Sequence, residues 1–496
     1  MTSETFDVVV VGGGPCGSTV STLVAQQGHR VLVLERERFP RYQIGESLLP
    51  STVHGICKLL GVTEELAAAG FPIKHGGTFR WGSNPEPWTF DFSLSQNFAG
   101  DSSTGYQVER MKFDKILLDN ARAKGVDVRE ESTVVDVIEE DGRVCGVRYT
   151  DAGGERHEVR SRYVVDASGN TSRIHGHSGG KRVYSDFFRN LALFGYFEGG
   201  KRLDPPYSGN ILAVAFEAGW FWYIPLSDTL TSVGAVLLPE ELERVQGDKE
   251  KALLGLIEQC PLIADMLSDA TRVTTGVYGD IRVRKDYSYL QERFWKPGLV
   301  LAGDAACFID PVFSQGVHLA TYGALLAARS LNTALAEGTD IPEETVFSEF
   351  EHRYRAEYSR FHDFLVAFYD MHQDEESYFW KAKKVTAETT PAAESFVNLV
   401  GGGASQEGAL VDPETYTARA EAAQELSAAI DRRVEGAGNQ EILNTSLVRS
   451  IVKEGHQIQI QAALGRSDRP TPPVRDGGLV PSADGMHWSL PTPKEA

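Results

Sequence analysis

The sequence predicts a mixed α/β fold, in which an N-terminal α/β unit is joined to an antiparallel β-sheet region and a helical C-terminal region. Three observations carry that reading. Residues 6–35 spell one strand–turn–helix–strand unit, residues 190–240 alternate aromatic and aliphatic side chains, and residues 345–465 are patterned largely as helices. A chain of 496 residues also exceeds one ordinary hydrophobic core, so two or three layers or subdomains are expected.

Each element follows from its residues. Phe6–Val11 is a continuous apolar run, the pattern of a strand buried on both faces. Pro15–Gln27 is mostly small and apolar and stops at Gly28, and Val31–Leu34 is a second buried strand leading to Glu35. Residues 112–165 supply a helix and then strands, with hairpin turns at Asp141-Gly142 and Gly153-Gly154 and a short buried strand at Tyr163–Asp166. Residues 190–240 suit an antiparallel sheet over a substrate cavity. Leu299–Leu301 is a further buried strand, and a long helix follows from Gly316 to Leu335. Residues 466–496 are rich in Pro, Gly, Asp and Ser and read as a flexible tail.

Composition excludes several classes. Hydrophobic residues make up 42% and charged residues 24%, the balance of a soluble globular protein, and no run of 18 apolar residues is present to span a membrane. The net charge of −20 repels nucleic acid. Met1–Phe6 has no basic stretch or cleavage site, so a cytoplasmic location is expected. The cysteines at 16, 57, 145, 260 and 307 are scattered without a CxxC pair, which argues against a metal site and a disulfide framework.

The chemistry begins at Gly12-Gly13-Gly14-Pro15-Cys16-Gly17, where Gly12, Gly14 and Gly17 have GxGxxG spacing. Gly12 permits the tight turn, Gly14 lets backbone approach a pyrophosphate, and Gly17 lets helix and strand pack closely. The helix N-terminus then offers unpaired N–H groups to phosphate. Glu35 follows Gly14 by 21 positions, where a carboxylate accepts from ribose hydroxyls. A glycine turn without a nucleotide is the plainer alternative, but strand, turn, helix, strand and acid all fall in order here.

Three further segments carry a family resemblance. Val300-Leu301-Ala302-Gly303-Asp304-Ala305-Ala306 resembles the second FAD fingerprint of flavoprotein monooxygenases, and implies that Asp304 binds the ribityl chain. Val165-Asp166-Ala167-Ser168-Gly169 resembles that family's third recurring segment, and Arg110 matches a position that contacts FAD. The resemblance implies a Rossmann-like FAD-binding domain. It covers about residues 5–370, divided into FAD-binding segments 5–80, 105–180 and 285–340 and β-rich substrate-covering segments 80–105 and 181–284, with residues 371–465 as a helical C-terminal region and 466–496 as the tail.

Within that superfamily, Trp220-Phe221-Trp222-Tyr223-Ile224-Pro225 fits the WxWxIP signature of flavin-dependent halogenases through Trp220, Trp222, Ile224 and Pro225. The resemblance implies a barrier between flavin and substrate. Two tryptophans on one face of an ordinary core strand are the plainer alternative. Lys74, in Phe71-Pro72-Ile73-Lys74-His75-Gly76-Gly77, resembles the halogenase active-site lysine that follows a segment like Gly45-Glu46-Ser47, whereas most lysines are simply exposed. Asp310-Pro311-Val312-Phe313-Ser314-Gln315-Gly316-Val317 resembles the segment passing beside the flavin ring, with Pro311 and Gly316 near the cofactor and the backbone N–H groups of Gln315 and Gly316 offered to chloride. The family often has Thr or Ser where this chain has Gln315, and Ser314 alternatively caps the helix that follows.

The resemblance implies an FADH2-dependent chlorinating enzyme, an oxidoreductase using FAD, O2 and chloride, supplied with reduced flavin by a separate flavin reductase because no second nucleotide fingerprint is found. A flavin C4a-hydroperoxide would oxidise chloride to hypochlorous acid, which Lys74 delivers to an electron-rich ring. The stretch Phe313–Thr321 looks most like members acting on phenolic or pyrrolic acyl groups held on an acyl or peptidyl carrier protein. Glu46, His75 and His318 offer proton transfer or, equally, structural roles. The competing readings are an aromatic monooxygenase acting directly through the flavin hydroperoxide, a non-catalytic FAD-binding redox sensor, and a carrier-protein adaptor.

Overall fold

The computed structural model describes residues 4–95, 97–98, 100–369, 375–386, 392–405, 407–410, 473, 475 and 477–491. One sheet holds, in spatial order, Trp295–Lys296, Leu299–Leu301, Arg156–Asp166, Thr5–Val11, Val31–Leu34 and Asp127–Arg129. All of these neighbours pair in parallel except Trp295–Lys296, which returns antiparallel. Thr133–Glu140 and Arg143–Thr150 add an antiparallel flap to Arg156–Asp166. The apolar runs are buried, with helix Pro15–Ala25 packed on Thr5–Val11 and Val31–Leu34, and Val8, Val9, Val10, Leu32 and Val33 are all fully buried. Helix Pro15–Ala25 buries ten of its eleven residues because it is packed both on the sheet and against helix Gly316–Leu335.

The second sheet has nine strands. Its path runs Cys307–Phe308, Arg282–Gln291, Arg182–Glu198, Leu230–Leu237, Gly219–Pro225, Ile211–Phe216, Gly76–Arg80 and Trp88–Asp91. Gly76–Arg80, expected within an FAD-binding segment, and Arg282–Gln291, expected within one from residue 285 onward, pair in this sheet; their local pattern does not say which sheet they join. Strand Gly219–Pro225 shows why the sheet has two apolar faces. Trp220, Trp222 and Ile224 point into the main core, while Phe221 and Tyr223 point into a second cluster capped by helices Lys249–Glu258 and Pro261–Met266.

Helices Gly316–Leu335, Glu343–Phe368, Glu375–Thr386 and Ala392–Val400 form the third layer. Most of the expected helical stretch after 410 lies outside the described residues. The tail expectation needs correction over residues 477–491. Val480–Pro481 and Trp488–Ser489 form a hairpin, and Trp488 is 3% exposed between the guanidinium groups of Arg329 and Arg353. Its indole donates to Ser330 Oγ at 2.8 Å, and Arg329, itself fully buried, pairs with Glu407 at 3.0 Å. These partners are far away in sequence, so composition alone reads as loose chain. No helix among the described residues is long and apolar enough to cross a membrane.

Candidate active site

A cavity of about 320 Å³ opens at the carboxyl ends of Thr5–Val11 and Val31–Leu34 and runs inward to the face of the second sheet. This is where a doubly wound sheet binds nucleotides. Gly12, Gly14, Glu35, Arg110, Asp304, Pro311 and Gly316 all line it.

The glycines have steric reasons to be glycine. Gly12 adopts φ +101°, and a Cβ there would lie 2.6 Å from the Ala167 carbonyl oxygen. Gly17 lies outside the cavity wall, but a Cβ on it would come within 1.8 Å of the Gly12 carbonyl oxygen, so strand and helix meet in van der Waals contact only through glycine. Glu35 accepts from the backbone N–H of Gly13 at 2.6 Å and of Glu37 at 2.8 Å, which fixes its carboxylate at the strand end. Arg41, which sequence reasoning missed, lines the cavity and pairs with Asp114 at 2.7 Å, with its guanidinium over Gly14 where a pyrophosphate would lie. Nothing local in the sequence marks it, because its role depends on a partner 73 residues away.

Arg110 is held by Asp114 at 2.7 and 2.9 Å and donates to the carbonyls of Ile44 and Gly45. Asp304 opens onto the cavity deep within the protein, and burial pushes its carboxyl up to about 6 against the pull of Arg110, Arg284 and Arg182. A glycine cradle, a helix N-terminus, a strand-end carboxylate and an arginine-rich rim are the donor set a flavin adenine dinucleotide requires, so these residues fit FAD.

Trp220, Trp222 and Ile224 line the cavity from the second sheet, while Pro225 is buried outside its lining. The indole centroids are 6.2 Å apart. Trp220 donates to the Tyr369 hydroxyl at 2.8 Å, which in turn donates to Asp310 at 2.6 Å, and Trp222 donates to Ser232 Oγ at 3.1 Å. Both tryptophans are therefore fixed in orientation as well as buried. Tyr369 is a second residue that local pattern does not reveal.

Lys74 lies on the short strand Ile73–Lys74 and is 2% exposed. It is not part of the cavity wall. Its Nζ donates to Ser47 Oγ at 2.9 Å, and Ser47 does line the cavity, so one hydroxyl separates the amine from the flavin side. Burial brings its pKa down to about 7, with the Phe92 ring 5.5 Å away.

The halide segment divides. Gly316 lines the cavity at the N-terminus of the Gly316–Leu335 helix, where N–H groups lack intrahelical partners. Gln315 is fully buried and outside the wall, with its side-chain amide bonded to the Asp310 carbonyl. Ser314 makes no side-chain cap. It lines the cavity with φ +64°, a strained setting for a non-glycine residue that turns the chain into the helix. His318 is buried between Ser51 at 3.0 Å and Glu357 at 2.9 Å, and His75 uses its backbone N–H on Asn210.

Comparison with known proteins agrees with this architecture. The tryptophan halogenase family model matches residues 7–103 and 95–430. The chain is 35% identical over 387 residues to tryptophan 2-halogenase of Chondromyces crocatus, covering 77% of this chain and 71% of that protein. It is 34% identical over 343 residues to 1H-pyrrole-2-carbonyl-[peptidyl-carrier protein] brominase of Pseudoalteromonas luteoviolacea, covering 68% and 79%. Among solved structures, the myxobacterial chondrochloren halogenase CndH superimposes with a TM-score of 0.74 at 50% identity, over 98% of this chain and 100% of that one.

Proposed function

This chain belongs to the flavin-dependent halogenases, the family of tryptophan halogenase, and from that premise we propose that it chlorinates an electron-rich, phenolic acyl group tethered to a carrier protein. As a flavin-dependent halogenase it is an oxidoreductase that uses FAD as FADH2, O2 and a halide, with reduced flavin delivered by a flavin reductase. When bound, the reduced flavin supplies the activation of oxygen and the oxidation of halide.

The observation that supports the reading is that Trp220, Trp222 and Ile224 line the same cavity as Ser47, whose hydroxyl holds the buried amine of Lys74. Gly12, Gly14, Gly17, Glu35, Arg110, Asp304 and Pro311 hold and orient the dinucleotide. The N–H groups at Gln315 and Gly316 draw the halide to the positive end of the helix. The two indoles exclude an organic ring from the cofactor and leave passage only to a small oxidised halide. Lys74 then holds or binds that halide through Nζ, in its neutral form, and fixes where the halogen meets the ring. Pro225 ends the strand and keeps Ile224 turned inward. The carrier-tethered substrate is supported by the relative that acts on a peptidyl-carrier-bound pyrrole and by the likeness of Phe313–Thr321 to such members.

The test is mass spectrometry of carrier-bound phenolic and pyrrolic acyl groups after incubation with enzyme, FAD, a reductase, O2 and either chloride or bromide. The expected product carries the chlorine isotope pair on the tethered ring. A product that gains oxygen instead, or halogenation confined to free substrates, overturns the corresponding part of the proposal.

A further inference from the structure

Glu46 is not used by the chemistry above, yet it lines the cavity and is 3% exposed. Its Oε1 accepts from the Tyr196 hydroxyl at 2.9 Å, and that hydroxyl lies 2.7 Å from the hydroxyl of Tyr42. Tyr196 is fully buried, whereas Tyr42 is partly exposed. Glu46 Oε2 makes no direct hydrogen bond among the described residues, and the Ser232 hydroxyl, which accepts from Trp222, lies close enough to oppose the rise that burial gives the carboxyl. A buried carboxyl oxygen left unpaired beside a cavity is costly unless something in the cavity uses it.

We propose that Glu46 is a proton donor to the flavin cavity, resupplied from the protein surface through the hydroxyls of Tyr196 and Tyr42. The proton leaves Glu46 Oε2 for the cavity, the Tyr196 proton moves to Glu46 Oε1, the Tyr42 proton moves to Tyr196, and solvent returns one to Tyr42. Only O–H bonds form and break, so no oxidant or reductant is needed. Rotation of the protonated carboxyl then resets Oε2 as donor.

The surroundings suit that task. Burial raises the Glu46 carboxyl to about 7, so it is available as an acid near neutrality. The charged and titratable groups around it are Arg110, which opposes the rise, and Glu109, which adds to it, together with the three phenols Tyr42, Tyr196 and Tyr278. Burial raises all three phenols, so they pass protons without ionising. The rings of Tyr42, Tyr196 and Tyr278 pack on one another at 4.4 to 6.4 Å between centroids, and the Arg282 guanidinium lies over Tyr42, so the chain of hydroxyls is held in place. Tyr278 donates to Glu109 and stands outside the relay.

This inference rests on the reading of the cavity as a flavin site and not on the identity of the substrate. Its test uses full-length FAD-bound protein without substrate. Infrared pH-difference spectra should show a carboxylic-acid carbonyl band that disappears as pH rises through about 7 and is absent in Glu46→Gln. Tyr196→Phe should retain the band at a shifted frequency, because the bond to Oε1 is lost. Proton uptake during reoxidation of the reduced bound flavin by O2 is followed with an indicator dye. It should slow at least ~10-fold in Glu46→Gln, Tyr196→Phe and the milder Tyr42→Phe, with FAD affinity held. No titrating band in the wild type, or wild-type proton uptake in both tyrosine variants, overturns the relay. If the band and the slowed uptake are found but no halogenated ring forms, the substrate reading fails and the relay stands.

Discussion

Replacing Lys74 by Met should stabilise the protein at neutral pH. The amine is 2% exposed, and burial lowers its pKa from 10.5 to about 7. Between those two values the unfolded chain holds a proton that the folded protein releases. Wild-type stability therefore declines as pH falls from about 10.5 and levels off below about 7, at about 1.4 kcal/mol per pH unit, or on the order of 5 kcal/mol in all. Methionine fills a similar volume and does not titrate. It forfeits the bond to Ser47, a loss of about 1 kcal/mol. The variant should then be more stable than wild type by about 4 kcal/mol at neutral pH and no more stable at the alkaline end. Urea unfolding of both proteins across that range measures the difference, in which other titrating groups cancel. A stability difference that does not change with pH would refute the burial argument, because it would mean the ammonium is solvated in the folded protein.

Other expectations follow from single contacts. Tyr369→Phe leaves the Trp220 N–H buried without its 2.8 Å acceptor, at a stability loss of about 1–3 kcal/mol, and should raise the peroxide released per halogenated product as the wall loosens. Gly17→Ala places a Cβ 1.8 Å from the Gly12 carbonyl oxygen and should abolish FAD binding, read as loss of flavin absorbance in the purified protein. Trp488→Ala removes the ring between Arg329 and Arg353 and should lower stability by about 3–5 kcal/mol in denaturant unfolding, although the residue is remote from the cavity wall.

What the sequence made legible was what local pattern encodes. Val31–Leu34, Leu299–Leu301 and Gly316–Leu335 match their expected limits because apolar runs in a parallel sheet and a long helix repeat at short range. Strand Arg156–Asp166 was legible as a buried strand only from Tyr163 onward, and before that only as the partner strand after the Gly153-Gly154 turn. Its first half pairs antiparallel with Arg143–Thr150, stays partly exposed and is too polar to read as a buried strand. The glycine loop and the paired tryptophans were legible because their spacing is itself the device. Arg41, Ser47, Tyr196 and Tyr369 were not, since each gains its place from a partner distant in sequence. The hairpin at 477–491 escaped for the same reason, because two arginines on separate helices hold it.

The claim that a halogen crosses an indole wall to reach an amine is tested most directly in Lys74→Ala loaded with FAD, reductase, halide and O2, with the carrier-bound ring and a soluble halogen scavenger measured together. Bound flavin and halogenated scavenger should persist while the ring product is lost. A ring halogenated at the wild-type rate, or one carrying oxygen from O2, would contradict the claim.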